Sequence, residues 1–161
     1  MRSTVSLAGI TALLDANLGR PTEVLGPQTI WREGRKMLAV RAFLPGSRQA
    51  WVMDAATAAA RPMRRLHPAG FYEAICPLDE SPACESRPYP AYQLRVADHE
   101  GQMTTLHDPY AFPTTLTDFD LHLFGEGKLL RGYDKFGAQP RTIDGVKGVN
   151  FAVWAPNART V

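Results

Sequence analysis

The sequence has few cysteines and no long apolar run. Its two cysteines, Cys76 and Cys84, are too few for a disulfide-dense secreted scaffold, and the histidines lack the spacing of a zinc site. We therefore predict free thiols and no metal. No stretch reaches the ~18 apolar residues of a membrane span. The apolar N-terminus ends at Asp15 without a signal-peptide cleavage site, which predicts a cytoplasmic protein with no membrane partner.

The sequence also lacks an excess of charge of one sign. Lys+Arg 18 against Asp+Glu 16 gives a net charge of +2, which is too balanced for a protein that neutralises nucleic-acid phosphates. The densest basic group, Arg32, Arg35 and Lys36, lies in a run of mixed charge that contains a glycine. This run predicts a hairpin tip, and we expect no nucleic-acid partner.

Recognisable catalytic motifs are lacking as well. Asp118 and Asp120 form a close acidic pair, which at this spacing is typical of solvated or capping residues rather than of a glycosidase pair. The glycines around Lys128 resemble a phosphate loop, but leucine follows the lysine where serine or threonine is required. No Gly-x-Ser-x-Gly motif is present. We propose no catalytic residue in this chain.

The length of 161 residues corresponds to one domain and a fraction, and is short for a catalytic barrel of ~250 residues. With 13 glycines and 13 prolines, many short elements are favoured over a helical bundle. Alternating apolar runs fall at 37–44, 49–54, 63–66, 71–75 and 91–96. They predict a mainly β protein, an antiparallel, immunoglobulin-like β-sandwich. In the first run, alternation places Leu38, Val40 and Ala42 on one face and Arg41 on the other.

A short amphipathic helix is expected before the sandwich. It begins near Thr4 or Ser6 and ends at Gly19, before Pro21. Together with the sandwich it defines a predicted domain at 1–105.

The chain beyond residue 105 differs in character. Residues 106–144 predict an extended linker, in which 121–133, with its three glycines, forms either an extended connector or short capped turns. Residues 148–156 predict a strand with Trp154 on the face opposite Phe151, followed by a turn and by a further strand opening at Thr160. We therefore expect residues 145–161 to be the start of a second β-sandwich, with Phe151 or Trp154 unusually exposed.

The three tryptophans are candidates for glycan contact. An indole on a sandwich surface can stack on the apolar face of a glucose ring, whereas the competing interpretation is packing in a core. Trp154 is the first candidate, because the opposite face of its strand is the more apolar one. Trp31 and Trp51 follow.

Three motifs after residue 107 resemble bacterial 1,4-α-glucan (glycogen) branching enzymes of the α-amylase superfamily. They are Asp108-Pro109-Tyr110, the run Asp-Leu-His-Leu-Phe-Gly-Glu-Gly at 120–127, and the run at 145–158 that contains Phe-Ala-Val-Trp-Ala-Pro-Asn-Ala. Upstream, the short helix, Val24-Leu25-Gly26-Pro27 and the runs at 40–46 and 70–73 fit in order. The resemblance covers essentially the whole chain.

The resemblance implies a cofactor-free, two-step transglycosylation that forms α-1,6 branches in glycogen. Its carboxylates lie in a (β/α)8 barrel that follows a second sandwich, a family 48 carbohydrate-binding module whose truncated start is 145–161. The partners implied are α-1,4 glucan, as glycogen or amylose-like chains, and the missing downstream sandwich and barrel. The resemblance also implies a linker motif characteristic of branching enzymes, which comprises Asp120, His122, Phe124 and Glu126.

Two residues depart from the family pattern. Gln28 and Gln139 stand where the family commonly has histidine, so a pH-linked role there is in doubt. The leading hypothesis is a non-catalytic, glucan-positioning N-terminal portion of a branching enzyme. The alternative is a stand-alone α-glucan-binding or interaction module, and a weaker one is the N-terminus of a trehalose-forming or debranching enzyme.

Overall fold

The computed structural model describes residues 4–78 and 91–158. The chain divides into two compact units, Met1–Ala111 and Phe112–Val161. Among the described helices, none is long and apolar enough to cross a membrane. The predictions for Cys84 and for a strand opening at Thr160 lie outside the described residues. The finer predicted boundaries at residues 105 and 144 stay predictions.

The first unit is a β-sandwich preceded by a helix, as the alternating pattern predicted. Its described elements are α1 (Leu7–Leu14), β1 (Gly26–Arg32), β2 (Arg35–Phe43), β3 (Ser47–Asp54), β4 (Ala60–Pro62), β5 (Arg64–His67), β6 (Phe71–Pro77), β7 (Tyr92–Asp98) and β8 (Met103–Leu106). One antiparallel sheet has the order β1-β2-β6-β5, and the other has the order β4-β3-β7-β8.

The core follows from strand alternation. The side chains of Leu38, Val40 and Ala42 on β2 are buried against those of Val52 and Leu94 from the other sheet. Successive residues of a strand point to opposite faces, so an apolar residue at every second position forms one buried layer. Cys76 lies in this core as a free thiol, and burial raises its pKa. The free-thiol prediction is thus confirmed for Cys76.

A single residue carries the chain from one sheet to the other. Strand β4 belongs to the second sheet and β5 to the first, and only Met63 separates them. The Met63 side chain is buried, and its backbone N–H donates to the Ala50 carbonyl over 2.8 Å. The two layers are therefore joined covalently within the core.

Helix α1 begins where the sequence predicted and ends earlier. The Ser6 hydroxyl caps it by accepting a hydrogen bond from the Gly9 backbone N–H at 3.1 Å. Ala16 has a φ of 52°, in the left-handed region, so the helix cannot continue past Asp15. The prediction that the helix extends to Gly19 was wrong for this reason.

The mixed-charge run at 32–36 is a hairpin tip, as predicted. Arg32 pairs with Arg35 across the tip, and the two central residues, Glu33 and Gly34, have φ of 52° and 75°. Positive φ at both central residues matches the twist of a two-residue β-hairpin, and glycine adopts it at no steric cost.

A buried ion pair fastens the N-terminal segment to the first sheet. The sequence placed Arg41 on the face opposite the sandwich core, and that face is buried as well. Arg41 and Glu73 lie opposite each other on β2 and β6, with side chains 6% and 2% exposed. Arg41 Nε donates to Glu73 Oε1 over 3.3 Å, and its Nη2 donates to Thr4 Oγ1 over 2.7 Å. Thr4 in turn donates to Glu73 through its hydroxyl and its backbone N–H.

The Arg41 guanidinium also reaches the segment after α1. Its Nη1 donates to the Val24 carbonyl over 3.4 Å. Val24 and Leu25 form a second apolar cluster with Ile10 of α1 and Phe71 of β6. The charged contacts and this cluster together hold α1 against the sheet.

A buried carboxyl stabilises the end of the first unit. Asp108 Oδ2 accepts a hydrogen bond from the Tyr92 hydroxyl over 2.6 Å, and Oδ1 accepts one from the Tyr110 backbone N–H over 2.9 Å. Burial raises the pKa of Asp108 above its ordinary value of 3.8, and the two hydrogen bonds oppose that rise.

Over 121–133 the second unit contradicts the extended connector and agrees better with the alternative of short capped turns. Helix α2 (Asp118–Gly125) occupies part of that segment, and strands β9 (Gly137–Ile143) and β10 (Val146–Ala152) follow as an antiparallel hairpin. The strand predicted over 148–156 therefore ends at Ala152. It pairs with the preceding strand, through a turn at Asp144 and Gly145. Phe151 and Trp154 are 74% and 64% exposed, in agreement with the expected exposure.

We predict that replacing Arg41 by methionine lowers the free energy of unfolding by about 3 kcal/mol, because it leaves the Glu73 carboxylate buried without its main partner. Urea denaturation followed by tryptophan fluorescence measures this change. Arg35→Met, at the exposed hairpin tip, is the control and should change stability by less than about 0.5 kcal/mol. Equal effects of the two substitutions would refute the role assigned to the ion pair.

We predict that Asp108→Asn removes a pH-dependent loss of stability. Because the folded pKa of Asp108 lies above the unfolded one, the folded state binds more protons, and the contribution of Asp108 to stability falls as pH rises through that window. The stability of the wild type relative to the asparagine variant should therefore decline as the pH rises above about 4, the ordinary pKa of an aspartate. Urea unfolding of both proteins across this range tests the prediction, and a pH-independent difference would contradict it.

Candidate functional site

Trp31 is the most exposed of the three tryptophans. It lies on β1, an edge strand of the first sheet, and is 74% exposed. An open groove of about 380 Å³ is lined by Thr4, Ile30, Trp31 and Arg32. An indole beside a guanidinium group offers a flat apolar surface with hydrogen-bond donors next to it, which is chemistry that suits a sugar ring.

The sequence did not predict that the residues lining this groove lie together. Sequence reasoning singled out Trp31 but missed Thr4 and Ile30. Thr4 is distant in sequence and is brought to this place by its hydrogen bonds to Arg41 and Glu73. The only indication of the groove in the sequence was the strand alternation that exposes Trp31 next to Arg32.

Trp51 is half-buried on the second sheet. On β3 it lies opposite Pro62 of β4 and Arg95 of β7, and Arg95 lies opposite Thr105 of β8. Cross-strand neighbours with Cβ atoms ~4.5–5.5 Å apart interact directly. Trp51 therefore has less free surface than Trp31.

Trp154 belongs to an aromatic cluster within the second unit. Its ring lies edge-on to that of Phe124 of α2, with 5.2 Å between the ring centroids. Phe124 also contacts Phe136, at 4.8 Å. Tilted and edge-to-face pairs at these distances stabilise packing by about 0.5–1.5 kcal/mol. Phe124 of the predicted linker motif is thus a packing residue.

Asp120 of the same motif is a helix-capping residue. Thr117 caps α2 by accepting from the Asp120 backbone N–H, and the Asp120 carboxylate accepts from the Thr117 backbone N–H over 2.9 Å. Lys135 Nζ lies 3.1 Å from the same carboxylate. The hydrogen bonds from Thr117, and then Lys135, hold the pKa of Asp120 below its usual value. The capping alternative to an acid–base pair thus agrees with this geometry.

The remaining two residues of the motif lie on the solvent side of α2. His122 Nε2 is 3.5 Å from Glu126 Oε1, and Glu126 Oε2 is 2.9 Å from Lys128 Nζ. Exposed pairs of this kind contribute little to stability. Within the described part of the chain, no group of three or more His, Cys, Asp or Glu residues is placed to hold a metal ion.

The two glutamines that depart from the family pattern make the same contacts in their two units. Gln28 Nε2 donates to the carbonyls of Thr22 and Leu25, over 2.7 and 3.3 Å. Gln139 Nε2 donates to the carbonyls of Tyr133 and Phe136, over 2.7 and 3.0 Å. Each amide fastens a strand to the turn that precedes it.

The chain matches one protein family and several curated relatives. Residues 6–110 match the family described as alpha-1,4-glucan branching enzyme GlgB, N-terminal domain. The 1,4-alpha-glucan branching enzyme GlgB of Rhodopirellula baltica is 42% identical over 161 residues, which is 100% of this chain and 21% of that protein.

Further relatives carry the same name. The 1,4-alpha-glucan branching enzyme GlgB of a Synechococcus species is 45% identical over 88% of this chain, and that of Thermosynechococcus vestitus is 40% identical over 98%. This chain covers 19% and 20% of those two proteins, so it spans about a fifth of the length of the relatives it matches. Because the family match covers most of the chain, including the β-sandwich and Trp31, the chain belongs to the GlgB N-terminal domain family of alpha-1,4-glucan branching enzymes.

Proposed function

We propose that this chain is the N-terminal, non-catalytic part of a 1,4-α-glucan branching enzyme, and that it positions α-1,4-glucan chains for transfer. The enzyme cleaves an α-1,4 linkage and transfers the released chain to a 6-hydroxyl, which forms an α-1,6 branch in glycogen. Support for the identity comes from the family match and from relatives whose length is about five times that of this chain. The part of this chain in that reaction is to bind and orient the α-1,4-glucan.

The exposed indole of Trp31 beside its groove is the observation that carries the positioning role. A tryptophan left 74% exposed on a folded sandwich forgoes the free energy of burial, so a ligand that covers its face gains that energy. Arg32, which lines the same groove, supplies guanidinium donors beside the indole. A glucose residue presents an apolar ring face and hydroxyl groups around its edge. The indole of Trp31 suits the apolar face, and the neighbouring hydrogen-bond donors suit the hydroxyls.

Trp51 and Trp154 are the second and third candidates for glucan contact. Trp51 shares its sheet face with Arg95 and Thr105, which offer hydrogen bonds to hydroxyls. Trp154 is exposed but packs edge-on against Phe124, which commits part of its ring. The order of expected contribution is therefore Trp31, Trp51 and Trp154.

We predict that the chain is retarded in native gels containing glycogen or amylose, and that Trp31→Ala weakens its affinity at least about fivefold, since an aromatic contact is worth ~0.5–1.5 kcal/mol beyond its buried area. Trp31→Phe should retain part of the retardation. Met103→Ala, an exposed apolar residue on β8, is the control and should migrate like the wild type. Unaltered migration of the wild type would exclude glucan binding by this chain.

The stand-alone module is the competing function, supported by the compact sandwich of the first unit. The branching-enzyme proposal predicts that the reading frame continues past codon 161 into a further sandwich and a barrel. Sequencing the downstream DNA tests this directly. A stop codon immediately after Val161 would favour a stand-alone glucan-binding module.

A further inference from the structure

The tip of the hairpin between β1 and β2 concentrates positive charge beside an indole. Arg32 lies directly opposite Arg35 at the turn, and Trp31 lies opposite Lys36 on the neighbouring pair of positions. We call these four residues the cationic tip. With Glu33 of the turn, three cations and one carboxylate leave a net charge of +2 here, and outside this segment the acidic and basic residues of the chain are equal in number.

The charges of the cationic tip are poorly neutralised within the protein. Arg32 Nε lies 3.8 Å from Glu33 Oε1, but the Glu33 side chain is 86% exposed, and exposed pairs of this kind are weak. Arg35 and Lys36 are exposed and form no ion pair with another described residue. Like charges directly opposite each other on two strands repel. An anion bound at the tip would relieve that repulsion.

A second group of arginines in the same unit is, by contrast, partnered internally. Arg64 Nη2 lies 3.7 Å from Oε2 of the buried Glu73 carboxylate. The Arg65 guanidinium lies 5.9 Å from the centre of the Tyr72 ring and also donates to the Pro68 carbonyl. Neighbouring arginines in this fold are therefore not left without partners as a rule, and the cationic tip differs from them in that respect.

The Trp31 ring is open beside these cations. It is 74% exposed and makes no aromatic or cation–π contact with another described residue. Lys36, its cross-strand partner, lies on the same face of the sheet. Leu38 lies on that face too and is only 2% exposed, whereas Lys36 is exposed, so the cover given by the core ends between the two. An apolar ring and an ammonium group therefore face solvent side by side.

The backbone fixes the positions of the cationic tip. Glu33 and Gly34 form a two-residue turn with φ of 52° and 75°, and β1 pairs with β2 along its whole length without a shift of register. Arg32 lies on the opposite face of β1 from Trp31, yet it lines the same groove, because β1 is an edge strand. A ligand that touches both side chains therefore meets a backbone that is already ordered, which lowers the entropic cost of binding.

We propose that the cationic tip binds a glucose residue that carries a phosphate monoester, with the sugar ring on the Trp31 indole and the phosphate among the three cations. The proposal rests on the proposed function and deepens it, because it makes the glucan that Trp31 holds a phosphate-bearing α-1,4-glucan. A guanidinium binds phosphate oxygens through paired N–H donors, and a lysine adds a point charge. The indole takes the apolar face of the ring.

A nucleic acid also presents phosphates, but the cationic tip suits it less well. Proteins that bind single strands combine several aromatic side chains with a charged groove that follows the backbone. The tip has one indole and one patch of three cations, and the charges of the rest of the chain balance. One phosphate beside one sugar ring matches this arrangement better than a polymer of phosphates does.

The experiment uses the full chain with a chemically phosphorylated maltodextrin and with the same preparation after phosphatase treatment. Isothermal titration calorimetry at about 0.05 M salt should show at least about tenfold tighter binding of the phosphorylated form, and this advantage should shrink at about 0.5 M salt, because exposed charges are screened. The double variant Arg35→Gln/Lys36→Gln should reduce the advantage to less than about threefold and leave the affinity for the treated dextrin unchanged.

Two further variants separate the tip from a general effect of charge. Arg48→Gln/Lys147→Gln removes two exposed basic residues elsewhere and should preserve the full advantage of the phosphorylated form. Glu33→Gln removes the one carboxylate of the turn and should tighten binding of the phosphorylated form about twofold. Urea denaturation of every variant verifies that the sandwich is folded.

The remaining outcomes distinguish the two proposals. Equal affinity for the two dextrins overturns this inference and leaves the proposed function standing, and so does an advantage that Arg35→Gln/Lys36→Gln retains. Binding of the phosphorylated form alone supports the phosphate site and contradicts the positioning of neutral glucan. Absence of any binding overturns both.

Two competing ligands decide the source of the phosphate. Glucose 6-phosphate that binds as tightly as the phosphorylated dextrin would identify a free sugar phosphate as the ligand of the same site. An oligothymidylate that binds more tightly than the dextrin would assign the tip to nucleic acid and overturn the inference.

Discussion

The buried pair of Arg41 and Glu73 is the interaction on which the organisation of the first unit depends. The two side chains lie opposite each other on neighbouring strands, and together they bind Thr4 and the Val24 carbonyl. Two charges removed from water are stable only when their hydrogen bonds are satisfied. The N-terminal segment therefore has to lie where it does, and α1 and the Trp31 groove take their places from it.

The parts of the fold that depend on local pattern were predictable. Alternation in β2, β3, β6 and β7 identified the sandwich, and the glycine among the charges at 32–36 identified a hairpin tip. The helix end was not predictable from apolar spacing, because it is set by the left-handed backbone of Ala16. Helix α2 was not predicted as a helix because its apolar pattern is weak and two glycines, Gly125 and Gly127, stand at its C-terminal end. Its signal was the capping pair Thr117 and Asp120.

The candidate site was only partly predictable, because its residues are brought together by tertiary contacts. Sequence reasoning named Trp31, yet the groove also requires Thr4, which Arg41 holds in place across more than thirty residues of sequence. Likewise, β9 contains Pro140 and Arg141 and gave no apolar alternation. The Asp-Gly pair at 144–145 was the only local sign of its hairpin. Non-local partners of this kind leave no pattern in a single window of sequence.

The crossing at Met63 has a mechanical consequence. Because β4 and β5 are consecutive parts of one chain with a single residue between them, neither sheet can slide past the other without pulling the buried methionine through the core and breaking its hydrogen bond to Ala50. A scaffold of this kind keeps its two outer surfaces at a fixed spacing.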